Sequence, residues 1–263
     1  MKVAVCVKQV PDPSLPPSLD PVTKTLDRSG KVVMDDADGY GVELALQLTE
    51  RAGGEVVVVS MAPGGDVGAL RPALAMGAGG AVLVSDPALA GSDALGTAKV
   101  LAAALRRVEP DLVLTATEST DGYTGTLPAQ VAELLGLPMV TFAKHVELAD
   151  EAGGAVRVRR QTEAGYDEVT CELPAVVSVT TSVATPRYPS FKGIVAAKGK
   201  PVERLTLADL GLGGGEVGQA GARQEIVDVR PVQQRSAGEV VTDEGDAHER
   251  IVALLEELKV ISR

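Results

Sequence analysis

The chain has 263 residues, of which 45% are hydrophobic but only 2% aromatic, and its formal net charge is −11. That length supports one large core, or a core with an appendage, and the core must be built from Val, Ala and Leu. The negative charge excludes non-specific nucleic-acid binding, which needs basic surface to displace phosphate counterions.

Residues 2–9, KVAVCVKQ, read as a first strand. Lys8 interrupts this apolar run early and no small-residue cleavage site follows, so it is not read as a signal peptide. No stretch approaches the roughly 18 apolar residues of a membrane span, and the expected location is cytoplasmic, without membrane insertion. The next run, PDPSLPPSLDP (11–21), holds five prolines, which exclude regular structure there.

A rhythm of strand and helix follows. DDADGYGVELALQLTER (35–51) is acidic at its start and carries Leu44, Leu46 and Leu48; it predicts a helix, weakened by Gly39 and Gly41. EVVVVSM (55–61) is a second strand, too uniformly apolar to have a wet face. DVGALRPALAMG (66–77) predicts a helix ending at Gly77 and shortened by Pro72. AVLVSD (81–86) is a third strand, and SDALGTAKVLAAALRR (92–107) a helix capped by Ser92 or Asp93. DLVLTAT (111–117) is a fourth strand, and GTLPAQVAELLG (125–136) a helix with Pro128 in its first turn. Strands apolar on both faces, each followed by a helix, predict a parallel sheet covered on both sides. Right-handed crossovers make this a doubly wound α/β domain of roughly the first 145 residues.

After that the pattern changes. AVRVRRQT (155–162) and YDEVTCEL (166–173) alternate and predict a β-hairpin over 155–173. PAVVSVTT (174–181) returns to the apolar type, as a further strand of the main sheet. TPRYPSFKGIVAAKGKP (185–201) reads as an exposed loop, yet holds one of the two Phe residues. From Leu212 the chain is Gly-rich, so 213–263 is expected to be an extended arm closed by a helix over 246–261, lying on another subunit. The division is then 1–212 and 213–263.

In an open α/β sheet, ligands bind beyond the carboxyl ends of the strands, near the switch in strand order. The loops there are Gln9–Asp12, Asp35–Asp38, Ser60–Asp66 and Glu118–Thr126. The last, ESTDGYTGT, leads into a helix N-terminus whose N–H groups attract phosphate, and its glycines permit close backbone approach. Thr124 and Thr126 add hydroxyl donors, and Asp121 suits a ribose hydroxyl or the helix cap. APGGD (62–66) has the same character more weakly and is equally an ordinary turn. No G-x-G-x-x-G follows the first strand and no G-x-x-x-x-G-K-[ST] occurs, which excludes dinucleotide dehydrogenase and P-loop readings. Cys6 and Cys171 sit in apolar strands as buried thiols, and the two histidines, His145 and His248, have no metal spacing. No nucleophile stands beside a base. The expectation is a chain that holds a nucleotide without transforming it, with no catalytic residue and no metal.

Several segments together resemble the β subunit of electron-transfer flavoprotein along nearly the whole chain. They are VAVCVKQVPDP (3–13), RPALAMGAGGAVLVSD (71–86), ESTDGYTG (118–125), AELLGLP (132–138), LPAVVSV (173–179) and PRYPSFKGIVAAKGKP (186–201). AGEVVTDEG (237–245) resembles actinobacterial members in particular. The resemblance implies an adenine-nucleotide α-hydrolase-like fold and a heterodimer whose α subunit carries most of the FAD contacts. It implies a structural AMP on β, or a second FAD there in flavin-bifurcating relatives. Electrons would pass from acyl-CoA and related flavin dehydrogenases to a quinone oxidoreductase.

Carried over by position, the AMP site comprises Cys6, Asp35, Asp36, Ala37, Asp38, Met61, Asp121, Gly122, Tyr123, Thr124, Gly125 and Thr126. The family's Asn-Pro-x-Asp is here DDAD (35–38), and its Asp-Gly-Asp-Thr-Gly is DGYTG, with Tyr123 in place of a carboxylate. The resemblance makes 185–201 a recognition loop in which Tyr188, Pro189, Ser190, Phe191, Lys192, Gly193 and Ile194 dock the dehydrogenase. Phe191 is the apolar anchor. Gln161 stands where the family has a carboxylate facing the mobile flavin domain. Two other classes share the features of the first 145 residues: a nucleotide-hydrolysing or adenylate-forming enzyme, and a universal-stress-like nucleotide-binding protein.

Overall fold

The apolar β-runs of the sequence become the inner strands of one large sheet. The chain starts with β1 (Lys2–Cys6), whose Val3, Ala4 and Val5 are fully buried. Short strands β2 (Gln9–Pro11) and β3 (Val32–Met34) form a separate antiparallel pair. Then come α1 (Asp36–Ala52), β4 (Glu55–Ala62), α2 (Arg71–Met76), β5 (Gly80–Ser85), α3 (Ala94–Val108), β6 (Leu112–Ala116) and α4 (Leu127–Leu135). β7 (Met139–Leu148), β8 (Ala155–Thr162) and β9 (Gly165–Glu172) form an antiparallel meander. β10 (Ala175–Val179), α5 (Phe191–Ala197), β11 (Val202–Leu205), the short α6 (Gly218–Gly221) and α7 (Ala247–Glu257) complete the chain. This computed structural model describes residues 1–150, 153–230, 238 and 240–261.

The nine strands of the main sheet run in the order β11-β5-β4-β1-β6-β10-β7-β8-β9, parallel except for the pairings of β8 with β7 and β9. One face packs Val3, Val5, Val58 and Leu114 against Leu44 and Leu48 of α1 and Leu74 of α2. The other packs Ala4, Cys6, Val59 and Val113 against Leu101 and Leu105 of α3 and Val131 of α4. The fold is therefore doubly wound α/β, with helices covering both faces. Gly39 and Gly41 do not break α1; both are buried, Gly41 against Val5 and Val179 of the sheet and Gly39 against Met34 and Pro186, and packing outweighs their poor intrinsic propensity.

Several expectations change. The proline-rich run is not wholly irregular: Pro11 ends β2, where a missing N–H is tolerated, and Leu19 bridges Leu26. The helix expected from residue 66 begins only at Arg71, after a 3₁₀ turn over Gly68–Leu70, and carries Pro72 in its first turn. β11 had no alternating pattern to announce it; as an edge strand on β5 it needs little apolar content. The 185–201 segment is not all loop, because Ser190 caps α5 through Gly193 N–H at 3.0 Å.

The chain forms two units, Met1–Ile226 and Val227–Arg263. Residues 213–226, read in the sequence as the start of the arm, belong to the first. Val217 is fully buried, Gly218 N–H donates to Ser92 Oγ at 2.8 Å, and Arg223 N–H donates to Asp93 Oδ2 at 2.7 Å. Gly218 lies in the left-handed region (φ 63°), and a side chain there would strike the Ala88 carbonyl, so a glycine is required. Of the arm, residues 231–237, 239 and 262–263 lie outside the described residues, as do two positions of the 237–245 motif. Among the described residues no helix is long and apolar enough to cross a membrane.

Candidate functional site

From β1 the sheet grows outward through β4 and β5, then resumes on the other side of β1 with β6. The loops after β1 and β6 therefore meet at the switch point, where doubly wound sheets bind ligands. Lys8, just past β1, donates from Nζ to Asp121 Oδ1 at 2.6 Å and to Ser119 Oγ at 3.1 Å. Arg28 Nη2 donates to the other oxygen, Asp121 Oδ2. The Asp121 side chain is only 6% exposed. Its burial acts to raise the pKa, but the Lys8 and Arg28 interactions outweigh that and hold the carboxyl below its usual range. Sequence reasoning missed both cations. Lys8 had a signal, being the first charged residue beyond a central strand; Arg28 had none, since it comes from the irregular segment 93 residues away.

Asp35 is fully buried. Its Oδ1 accepts from Ala37 N–H at 3.1 Å, capping α1, and its Oδ2 accepts from Thr120 N–H at 2.8 Å. Asp35 N–H in turn donates to the Lys8 carbonyl at 3.0 Å. One side chain thus ties α1 to the loop after β6, and its backbone reaches the loop after β1. Asp36 is exposed and Ala37 half-buried in the first turn of α1.

Asp38 is buried and accepts from Lys8 N–H at 2.7 Å. Burial pushes its carboxyl well above the usual range; the Lys8 N–H opposes the rise and neighbouring Asp35 adds to it. Burial, with Asp38 second, pushes the Cys6 thiol up to about 12, so Cys6 is a neutral wall and no nucleophile. Met61, half-buried near the end of β4, packs on the same side of the sheet as Cys6. Thr115 Oγ1, buried near the end of β6, lacks a hydrogen-bond partner among the described residues, and strand alternation puts it on that side too.

The folded state favours the neutral form of Asp38. Its stabilising contribution is fully present below the unfolded carboxylate range and is lost as pH rises through the folded pKa. Asp38→Asn is therefore expected to raise the thermal midpoint at neutral pH, with the gain vanishing below pH about 4. Thermal melts across a pH series check this.

Gly122, Tyr123, Thr124, Gly125 and Thr126 form an exposed loop. Tyr123 (φ 46°) and Gly125 (φ 64°) are both left-handed, which for tyrosine is a strained setting. Thr126 occupies the N-cap position of α4 without capping through its side chain, so the first-turn amides keep their attraction for an anion, except at Pro128, which has no N–H.

A second surface gathers the other singled-out residues. Tyr188 is 98% and Phe191 82% exposed, and Ile194 is exposed beside them. Pro189 is half-buried, whereas Ser190 and Lys192 are exposed. α5 rests on α2 so closely that a Cβ on Gly193 would lie 2.4 Å from the Ala75 carbonyl oxygen. Lys200 Nζ donates to the Leu74 and Ala78 carbonyls at 2.8 and 2.7 Å, and Arg71 Nη1 donates to the Ala197 carbonyl. Tyr188, Phe191 and Ile194 thus turn apolar side chains to solvent from a segment seated on α2. Gln161 lies exposed near the hairpin tip, in register with Tyr166.

Comparison with known proteins agrees in one direction. Residues 23–210 match the family described as the electron transfer flavoprotein domain. The chain is 41% identical to the electron transfer flavoprotein subunit beta of Mycobacterium leprae, over 98% of this chain and 99% of that protein. It is 37% identical to the subunit of the same description from Thermoanaerobacterium thermosaccharolyticum, over 98% of each. It is 33% identical to the caffeyl-CoA reductase-Etf complex subunit CarD of Acetobacterium woodii, over 92% of each.

Proposed function

Since this chain belongs to the electron transfer flavoprotein family as a β subunit, we propose that it holds a structural AMP, shares an FAD with an α subunit and docks dehydrogenases. As a cytoplasmic carrier without catalytic residues, it receives electrons from acyl-CoA and related flavin dehydrogenases and passes them toward a quinone oxidoreductase. The observation that carries the reading is Phe191, turned outward on a helix whose backbone is held against α2. A desolvated apolar anchor ringed by polar neighbours is how a few residues dominate a protein interface.

Support for the nucleotide comes from the residues at the switch point. Thr115 Oγ1 offers an unmet hydrogen bond beside the apolar walls of Cys6 and Met61, fitting a flat base with polar edges. The glycine- and threonine-rich loop and the start of α4 suit a phosphate, with Lys8 and Arg28 adding positive charge nearby. Bound there, AMP supplies no chemistry and serves as packing; the FAD supplies the redox chemistry. A hydrolase would want an unengaged cation or a nucleophile at the loop, whereas both cations here are paired to Asp121 and the Cys6 thiol is held neutral. A universal-stress-like protein would leave the hairpin and the outward Phe191 without purpose. The helix α7, with Ile251 and Leu254 exposed and Leu258 exposed just past its end, needs an apolar cover, and we assign the arm to the α subunit's surface.

The test is co-expression with the α subunit and mass spectrometry of what the purified complex retains. One FAD with one AMP is expected. Two FAD would make the chain a subunit of a bifurcating complex, and a complex lacking adenylate altogether would overturn the nucleotide assignment. ATP turnover by the chain alone would favour the enzyme class.

A further inference from the structure

Arg187, immediately before the exposed Tyr188, is gripped by two carboxylates of α1. Its backbone N–H and Nε both donate to Glu43 Oε2, at 3.1 and 2.8 Å, and Nη2 donates to Glu43 Oε1 at 3.0 Å. Nη1 and Nη2 reach Glu50 Oε1 and Oε2 at 2.6 and 3.2 Å. Glu43 and Glu50 lie two helical turns apart, hence on one stripe of α1. The Glu43 side chain is 5% exposed and the Glu50 side chain 57% exposed. A carboxylate as deep as Glu43 is tolerable only when charge and hydrogen bonds meet it. Burial acts to raise the Glu43 pKa, but Arg187 and Gln47 outweigh it, and the carboxyl sits below its usual range. The planar guanidinium fork satisfies both acids at once, which a lysine cannot do.

The partnership exceeds what loop closure needs. Lys200, Arg71 and Gly193 already fix the far end of the segment to α2. The grip on Arg187 fixes the near end, so only the side chains of Tyr188 and Phe191 remain to be ordered by a partner. We propose that Arg187, held by Glu43 and Glu50, is a positioning residue that sets the direction in which Tyr188 and Phe191 leave the surface. Pre-ordering of this kind lowers the entropy lost on association. The inference rests on the docking function proposed for Phe191.

The experiment uses the intact αβ complex and an acyl-CoA dehydrogenase reduced by its acyl-CoA. Dehydrogenase turnover is followed as a function of carrier concentration, so that KM for the carrier and kcat are separated. Arg187→Gln is expected to raise KM roughly tenfold, the equivalent of re-ordering one or two side chains, with kcat unchanged. Arg187→Gln combined with Phe191→Ala is expected to be no worse than Phe191→Ala by more than about twofold, because the arginine acts through the phenylalanine. A lowered melting temperature with unchanged KM would make the grip purely structural and overturn the proposal, as would fully additive losses in the double variant. Should Arg187→Gln fail to assemble, Glu50→Gln removes the exposed half of the grip; a KM raised about threefold supports the proposal and an unchanged one overturns it. If Phe191→Ala itself leaves KM unchanged, the docking function fails, and this inference with it; if only the Arg187 and Glu50 variants are silent, docking stands and positioning falls.

Discussion

Phe191→Ala is expected to lower kcat/KM for electron transfer from an acyl-CoA dehydrogenase by about thirtyfold or more, leaving flavin content and melting temperature unchanged. The magnitude follows from truncating an interface anchor, which typically loses about 2 kcal/mol or more. The selectivity follows from exposure. At 82% exposed, the ring contributes little to its own fold, so its removal opens no cavity. Neither α5 nor its cap depends on it, since Ser190 and the backbone contact of Gly193 with α2 hold that helix. Tyr188→Ala should act in the same direction, because that ring is equally free of its own domain. Steady-state kinetics against a reduced dehydrogenase, with an absorbance count of bound flavin, decides the matter. Loss of flavin in the Phe191 variant would mean the side chain is structural.

Asp35→Ala carries the other large effect, on stability and nucleotide retention. The substitution removes the α1 cap, usually about 1 kcal/mol, and unpairs Thr120 N–H from its carboxylate. An orphaned amide adds about 1–3 kcal/mol, and the lower part of that range applies because the Thr120–Asp35 bond is only partly buried. A total of about 2 kcal/mol is expected, or a fall of roughly 4–8 °C in melting temperature for a domain of this size. With its tie to α1 gone, the Glu118–Thr126 loop is expected to release AMP more readily, seen as a lower ratio of AMP to FAD in the purified complex. Asp35→Asn should fall between the two, because an amide offers one acceptor where the carboxylate offers one to each N–H. An alanine variant with unchanged melting and full AMP would show that the brace is unnecessary.

Much of this molecule could be read before it was folded. EVVVVSM and DLVLTAT are apolar on both faces, and only a sheet covered on two sides accommodates such strands. The glycine- and threonine-rich loop after β6 and the lone Phe of the 185–201 segment also stood out by composition. The reading was weaker wherever local pattern is silent. β11 is an edge strand with two exposed residues out of four, and the Gly-rich run after 212 looked unable to pack until Val217 was seen buried.

Local pattern was enough for the doubly wound architecture and the family, because these depend on periodicity and on motifs within a few residues. Tertiary structure alone decided which charges work together. Lys8 and Arg28 meet Asp121 across 113 and 93 residues of chain, and Arg187 meets Glu43 across 144. A charged residue has the same sequence signature whether it faces water or a buried partner; only the crossing of strands and helices distinguishes the two, and so ties Asp35 to Thr120 and Arg187 to Glu43.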